Sequence, residues 1–145
     1  MNVQELKRLT AKCGGAILYQ PLKGEIDYTD PWFPLELSAN RITVPNNKQA
    51  DPFLWLDKCR RQFKHSKPCI LVPGSKFDWS GARQGRGGGW YDRFLSLAPR
   101  SWLRIGLVES GTINARLAVR AWDEPVDWLI WFDGVWRAHQ TDARL

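Results

Sequence analysis

No run of about 18 consecutive apolar residues occurs in this chain, so no membrane-spanning helix is expected. The amino-terminal stretch MNVQELKRLTAK is charged throughout and lacks the apolar core of a secretory signal, which makes a cytoplasmic location the default. Cysteine is scarce and odd in number: Cys13, Cys59 and Cys69 stand far apart, with no Cys-x-x-Cys pair and no Cys/His cluster. That argues against a disulfide framework and a zinc site, and leaves buried or idle thiols as the reading. The two histidines, His65 and His139, have no Ser or Cys partner at a recognisable spacing, so neither is assigned to catalysis. A GxxxxGK[ST] phosphate loop is absent, and the dinucleotide pattern GxGxxG is met only loosely, by Gly85, Gly87, Gly88 and Gly89. No internal repeat, low-complexity tail or linker divides residues 1–145, which read as a single domain.

What is present is ordinary for a soluble globular protein: 43% hydrophobic and 25% charged residues over 145 positions, enough for a sizeable core. The net charge of +6 suits an anionic small molecule, nucleic acid or mere solubility, and does not choose among them. Nine tryptophans, spread from Trp32 to Trp136, read mostly as packing residues.

Along the chain, Val3, Leu6 and Leu9 recur at helical spacing over 3–12, and Gly14-Gly15 should end that helix. Ala16 to Tyr19 reads as a strand closed by Pro21 and Gly24, and Arg41 to Val44 as a second, stopped by Pro45. Trp32 to Leu37 is ambiguous. From Pro52 the apolar positions Phe53, Leu56, Cys59 and Phe63 fall on one face of a helix whose basic outer side is a solvated surface. Further strands are expected at 69–72, 104–108 and 126–132, with a helix from Trp90 to Pro99 and a terminal hairpin turning at Asp133-Gly134. Residues 110–121 read as a short helix or loop. Strands alternating with helices argue for an α/β layer with a mostly parallel sheet.

The chain is organised around PGSKFDWSGARQGRGGGWYDRFL, residues 73–95. A buried strand, a glycine-rich loop with arginines and a helix start describe a place for an anion, because free backbone N–H groups and the positive end of the helix dipole meet there. A flexible surface loop is the competing reading of the same glycines. In a parallel α/β sheet the loop after Val72 would lie at the carboxyl ends of the strands, where ligands bind.

This stretch closely resembles the motif of the 5-formyltetrahydrofolate cyclo-ligase family, also called methenyltetrahydrofolate synthetases. Pro73, Gly74, Phe77, Asp78, Gly81, Arg83, Gly85, Arg86, Gly87, Gly89, Tyr91, Asp92 and Leu95 stand where the family has them, while Gln84 and Trp90 replace a Leu and a Tyr. AILYQPLKGEID, IGLVESGTI and WDEPVDWLIW are similar to three further family segments, although the glutamine of the second is missing. The resemblance covers about residues 16–132 with a gap over 45–68.

The resemblance implies a single three-layer Rossmann-like domain of the NagB/RpiA/CoA-transferase kind. It also implies ATP- and Mg2+-dependent cyclisation of 5-formyltetrahydrofolate to 5,10-methenyltetrahydrofolate, with ADP and phosphate released, in one-carbon metabolism. By position, it puts ATP on Arg83, Gly85, Arg86, Gly87, Gly88, Gly89, Trp90 and Tyr91, and folate on Glu25, Gly88, Trp90 and Tyr91. It gives Arg86 and Tyr91 catalytic roles and magnesium to Asp92 and Asp127. The partners it implies are ATP and a reduced folate, with no nucleic acid or membrane, in a monomer or weak dimer. Family members carry a longer basic amino-terminal helix against ATP, for which Lys7, Arg8 and Lys12 are partial substitutes here. An alternative is a homologue that binds nucleotide or folate without this turnover. An RNA-binding reading of Arg83, Arg86 and Trp90 ranks last, because Arg-Gly-rich segments of that kind are usually repeated. Without the motif, Asp92 would be a favourable acid in a helix's first turn, and Glu25 and Asp127 solvated residues.

Overall fold

The computed structural model describes residues 2–45, 49–85, 89–109 and 113–138. Arg86, Gly87 and Gly88, three of the residues expected to bind ATP, lie outside these, as does His139.

The chain opens with α1 (Asn2–Ala11) and enters β1 (Gly15–Tyr19) and then β2 (Arg41–Val44). Next come α2 (Pro52–Gln62), β3 (Pro68–Gly74), the short β4 (Lys76–Phe77) and β5 (Arg83–Gln84), and α3 (Trp90–Leu97). The chain continues through β6 (Leu103–Val108) and β7 (Trp128–Trp131) to β8 (Gly134–Arg137). Asp51 starts α2 by accepting the Phe53 N–H at 2.9 Å, with Pro52 in the first helical position, where its missing N–H costs nothing.

Six strands form one sheet in the order β2-β1-β3-β6-β7-β8, parallel throughout except for the β7–β8 hairpin. β1 and β3 are buried at every position, as continuous apolar strands covered on both faces should be. Strand alternation separates the two covering layers. Gly15 has no room for a side chain because the Phe63 ring, at the end of α2, occupies that space. Arg104 hydrogen-bonds the Leu95 carbonyl of α3 from the same side of the sheet. On the opposite face Arg137 pairs with Glu5 of α1 at 3.4 Å. Helices α2 and α3 therefore cover one face and α1 the other, which makes three layers. The expected mostly parallel α/β sheet is observed.

The described part of 110–121 is loop, one of the two expected readings, with an isolated bridge from Asn114 to Asp78. The β4–β5 hairpin had no counterpart in the expectations, since two-residue strands leave no periodicity to read.

Candidate active site at the carboxyl ends of the strands

β3 delivers the chain to Gly74, at the carboxyl edge of the sheet, and β4 and β5 then turn it back over that edge, pairing Lys76 with Gln84 and Phe77 with Arg83. Asp78 shapes the turn. Its Oδ1 accepts from the Ser80 N–H (2.9 Å), the Ser80 hydroxyl (2.6 Å) and the Ala82 N–H (3.0 Å), while Oδ2 accepts from the Leu117 N–H at 2.9 Å. The same carboxylate thus fixes the hairpin and the segment entering the 118–123 wall. Gly81 adopts φ +88°, and a Cβ there would lie 2.3 Å from the Val126 carbonyl oxygen, so both conformation and space require glycine.

Between these elements lies a cavity of about 960 Å3. That is the upper end of the range for small-molecule sites, large enough for a sizeable ligand or two smaller ones. Tyr19 and Glu25 form one side, Pro73 and Gly74 the floor, and Arg83, Gln84 and Gly85 the hairpin wall. The start of α3, Gly89 to Arg93, faces Arg120, Trp122 and Asp123 across it. Gly89 caps α3 in the left-handed region (φ +64°) without a side-chain cap, and it stands in the cavity lining.

Arg83 is the central cation. Its side chain is 8% exposed, its Nε donates to the Pro73 carbonyl at 2.8 Å, and its guanidinium lies 5.1 Å from the Tyr91 ring centroid. The ion pair to Asp92 is long, 3.9 Å between Nη1 and Oδ1. Burial pulls the Arg83 pKa down and the Asp92 charge opposes that pull. The Tyr91 phenol is pushed up by burial and stays protonated. Trp90 is held by two contacts: its Nε1 donates to the Ala50 carbonyl at 3.0 Å, and its ring stacks on Phe94 at 5.3 Å. Glu25 reaches the cavity on a loop tied at both ends. The Tyr19 hydroxyl donates to the Ile26 carbonyl (2.6 Å), the Tyr28 hydroxyl donates to the Tyr19 carbonyl (2.8 Å), and Glu25 Oε1 accepts the Leu22 N–H (2.8 Å).

Of the residues singled out from sequence, Glu25, Arg83, Gly85, Gly89, Trp90, Tyr91 and Asp92 line this one cavity. Asp127 does not join Asp92. Its Oδ2 accepts the Arg104 N–H at 2.9 Å and its Oδ1 faces Arg100 at 3.6 Å, just before β7. Arg104 lies at the amino end of β6, about four residues from the Val108 level, so on the order of 13 Å separates Asp127 from the cavity edge. The physical reason is strand polarity. A residue directly preceding a parallel strand sits at the sheet's amino edge, whereas this cavity is at the carboxyl edge. The carboxylate that does line the cavity beside Asp92 is Asp123, which the sequence reading passed over. Asp92 Oδ1 accepts the Glu124 N–H at 3.0 Å and Asp123 Oδ2 accepts the Arg120 N–H at 2.8 Å. The signal was available: Asp123 lies before Pro125, on the connection arriving from the carboxyl end of β6. Lys7, Arg8 and Lys12 are also absent from the cavity lining, because α1 covers the other face of the sheet.

Asp92 and Asp123 are oxygen donors of the type magnesium takes when phosphate oxygens and water complete its shell, and so the residues present fit that ion. Among the described residues no cluster of three or more His, Cys, Asp or Glu side chains forms a self-sufficient metal site. None of the described helices is long and apolar enough to cross a membrane.

A buried arginine, two carboxylates and a helix start around a ligand-sized cavity at the carboxyl edge of a parallel sheet define the class: an α/β domain with its candidate site at the strand ends. Within that class the chain belongs to the 5-formyltetrahydrofolate cyclo-ligase family, whose sequence model matches residues 44–131. The 5-formyltetrahydrofolate cyclo-ligase of Mycoplasma pneumoniae is 30% identical over 115 residues, covering 78% of this chain and 70% of that one. Its Mycoplasma genitalium counterpart is 29% identical over 116 residues, covering 78% and 69%. The NMR structure of Aquifex aeolicus 5,10-methenyltetrahydrofolate synthetase superposes with a TM-score of 0.58 at 29% identity, covering 96% of this chain and 80% of that one. A 5,10-methenyltetrahydrofolate synthetase structure from Mycoplasma pneumoniae, 22% identical with a TM-score of 0.57, shares the fold over 88% of this chain and 79% of its own.

Proposed function

We propose that this protein closes 5-formyltetrahydrofolate to 5,10-methenyltetrahydrofolate, using ATP and magnesium and releasing ADP and phosphate. The observation that carries the reading is the convergence of Arg83, Asp92 and Asp123 on one large cavity in a chain of this family. An amide-like formyl oxygen is a poor leaving group. Transfer of the γ-phosphoryl group to that oxygen makes it a good one. Folate N10 then attacks the formyl carbon, the C–O bond breaks, and phosphate leaves. Such a transfer needs positioning and charge neutralisation more than a protein nucleophile.

In this scheme Arg83 and the backbone of Gly85 to Gly89, with Arg86, hold the phosphates. Asp92 and Asp123 would hold magnesium, which would supply charge neutralisation to the phosphates. Arg86 and Tyr91 are the residues assigned to the transfer step, with Tyr91, which lines the cavity, as a neutral hydrogen-bond donor. Trp90 and Tyr91 offer aromatic surface to the pterin, and Glu25 offers an acceptor for its N–H groups.

The test is the rise of methenyltetrahydrofolate absorbance when purified protein receives 5-formyltetrahydrofolate, ATP and magnesium. Asp92→Asn should abolish that rise while leaving circular dichroism unchanged; unaltered turnover would refute the metal role. Folate or nucleotide binding by the unmodified protein without any turnover would instead support the binding-only reading.

A further inference from the structure

Arg104, on β6, is the largest fully buried side chain of the protein, and the proposed reaction leaves it unused. Its Nη2 donates to the Leu95 carbonyl in the last turn of α3 at 2.7 Å, and its Nη1 to the Pro125 carbonyl at 3.3 Å. Nη1 also stands 3.6 Å from the Glu124 carboxylate, which is part-exposed. The Nε finds no acceptor among the described residues. A sealed cation with a long ion pair and an orphaned N–H is a poor way to stabilise a core, since apolar side chains of similar volume often do as well or better. What this guanidinium does is fix two segments together. The Glu124 N–H donates to Asp92 Oδ1 at 3.0 Å, and Asp123, one residue earlier, is the second carboxylate of the cavity. Leu95 lies three residues beyond Asp92, nearly one turn along α3. Arg104 thus grips both chain segments that carry the two carboxylates, close to each of them.

We propose that Arg104 is a positioning residue for the divalent cation: by bridging α3 to the 124–125 segment it sets the spacing of Asp92 and Asp123. The inference rests on the reading of those two carboxylates as the magnesium ligands. Local structure shows why a brace is needed. Asp92 belongs to the first turn of a helix, but Asp123 sits in a stretch, residues 113–127, with neither helix nor strand. Groups that share a small cation must be held within about 0.5 Å of the productive geometry. On the far side the Val126 N–H is fixed to the Gly81 carbonyl at 2.9 Å. The Arg104 bond to Pro125 then keeps the neighbouring Glu124 N–H directed at Asp92, while the bond to Leu95 keeps α3 at the matching height. The flat, rigid fork of an arginine suits that bridge, and the compact ammonium of a lysine does not.

The test compares Arg104→Met, which keeps the apolar stem and removes the fork, with Ile105→Ala. Ile105 is equally buried one residue along β6 but points to the opposite face of the sheet, so its truncation lowers the Tm without reaching the bridge. Calorimetric titration of magnesium into protein carrying a non-hydrolysable ATP analogue reads the cation, and NMR hydrogen exchange reads the Glu124 amide. Arg104→Met should weaken magnesium by about tenfold or more, as loss of a supporting contact behind metal ligands does, and should speed Glu124 exchange. Ile105→Ala should leave both at the values of the unmodified protein. Arg104→Lys, which keeps the charge, should fall between, and it serves alone if the methionine protein does not fold. An unchanged magnesium affinity or an unchanged Glu124 exchange rate in the Arg104 variants would overturn the proposal, as would equal losses in Ile105→Ala, since stability alone would then explain them. Absence of magnesium binding by the unmodified protein would instead refute the metal reading of Asp92 and Asp123. Glu124 exchange would then still decide whether Arg104 holds that segment against Asp92.

Discussion

Asp78 offers the most direct perturbation of the site's construction. It is 3% exposed and accepts hydrogen bonds from four donors, two of them the backbone N–H groups of Ala82 and Leu117. Asp78→Ala leaves the buried Ala82 N–H without its acceptor, while the part-buried Ser80 and Leu117 groups can turn to water. An unsatisfied buried donor costs about 1–3 kcal/mol, so the substitution should cost about that much. That is an appreciable share of the roughly 5–15 kcal/mol that holds a domain folded. At about 3–4 °C per kcal/mol for a chain of this size, the middle of the range lowers the Tm by roughly 6–8 °C. Asp78→Asn separates the two halves of the role. Its amide oxygen can still accept from the Ser80 and Ala82 N–H groups, but its NH2 then faces the Leu117 N–H donor to donor. The predicted result is a smaller loss of stability together with a weakened substrate KM, because Leu117 leads into the wall that carries Arg120, Trp122 and Asp123. Urea unfolding followed by tryptophan fluorescence measures the first effect, and steady-state kinetics at fixed magnesium the second. An Asp78→Ala protein within about 0.5 kcal/mol of the parent, the ordinary range for surface changes, would refute the reasoning.

The metal assignment predicts that Asp123→Asn raises the magnesium concentration needed for half-maximal turnover at least tenfold, whereas Asp127→Asn leaves it unchanged and lowers only the Tm. A reversal of that pattern in a magnesium titration would reinstate Asp127. Arg83→Lys keeps the charge but loses the bond to the Pro73 carbonyl and the planar contact with Tyr91, so the ATP KM should rise about tenfold or more while the Tm changes little. At Gly106 a Cβ would lie 2.5 Å from the Phe77 ring, which is itself fully buried; Gly106→Ala should therefore cost about 1–3 kcal/mol by overpacking, read from the urea midpoint. Burial pushes the Cys59 thiol from 9.0 up to about 12. Below pH 9 that thiol is protonated in both folded and unfolded chains. Between pH 9 and about 12 the unfolded chain releases the proton first, so this contribution to stability is lost as the pH rises. Cys59→Val should flatten that part of the alkaline limb in a series of thermal melts, and an unchanged slope would count against it.

The sheet was legible because its strands obey simple rules. The runs at 16–19 and 69–72 are apolar at every position, which suits only a strand buried on both faces, and Pro52 and Gly89 mark helix starts. The β4–β5 hairpin was not legible, because its strands are two residues long and leave no periodicity, and its turn is shaped by the Asp78 side chain. That Asp127 lies away from the cavity was hidden for a different reason. Neighbours four residues apart, Asp123 and Asp127, differ by which edge of the sheet they reach, and that depends on where β7 begins.

The character of Arg83 also escaped a local reading. In a glycine-rich stretch an arginine looks solvated, yet this one is nearly sealed from water. Sealing depends on two glycines distant from it in role. Gly106 leaves space for the Phe77 ring against the sheet, and a Cβ at Gly74 would press on both that ring (3.0 Å) and the Arg83 stem (3.2 Å). With Phe77 seated, its hairpin partner Arg83 is laid across the end of β3 and points at the cavity. A buried cation is destabilising unless closely paired, and the 3.9 Å contact with Asp92 is a weak pairing. A bound anion would supply what the pairing lacks. On the proposed function that anion is the phosphate chain of ATP, and protection of the fold by nucleotide should therefore be larger in the parent than in an Arg83→Met protein.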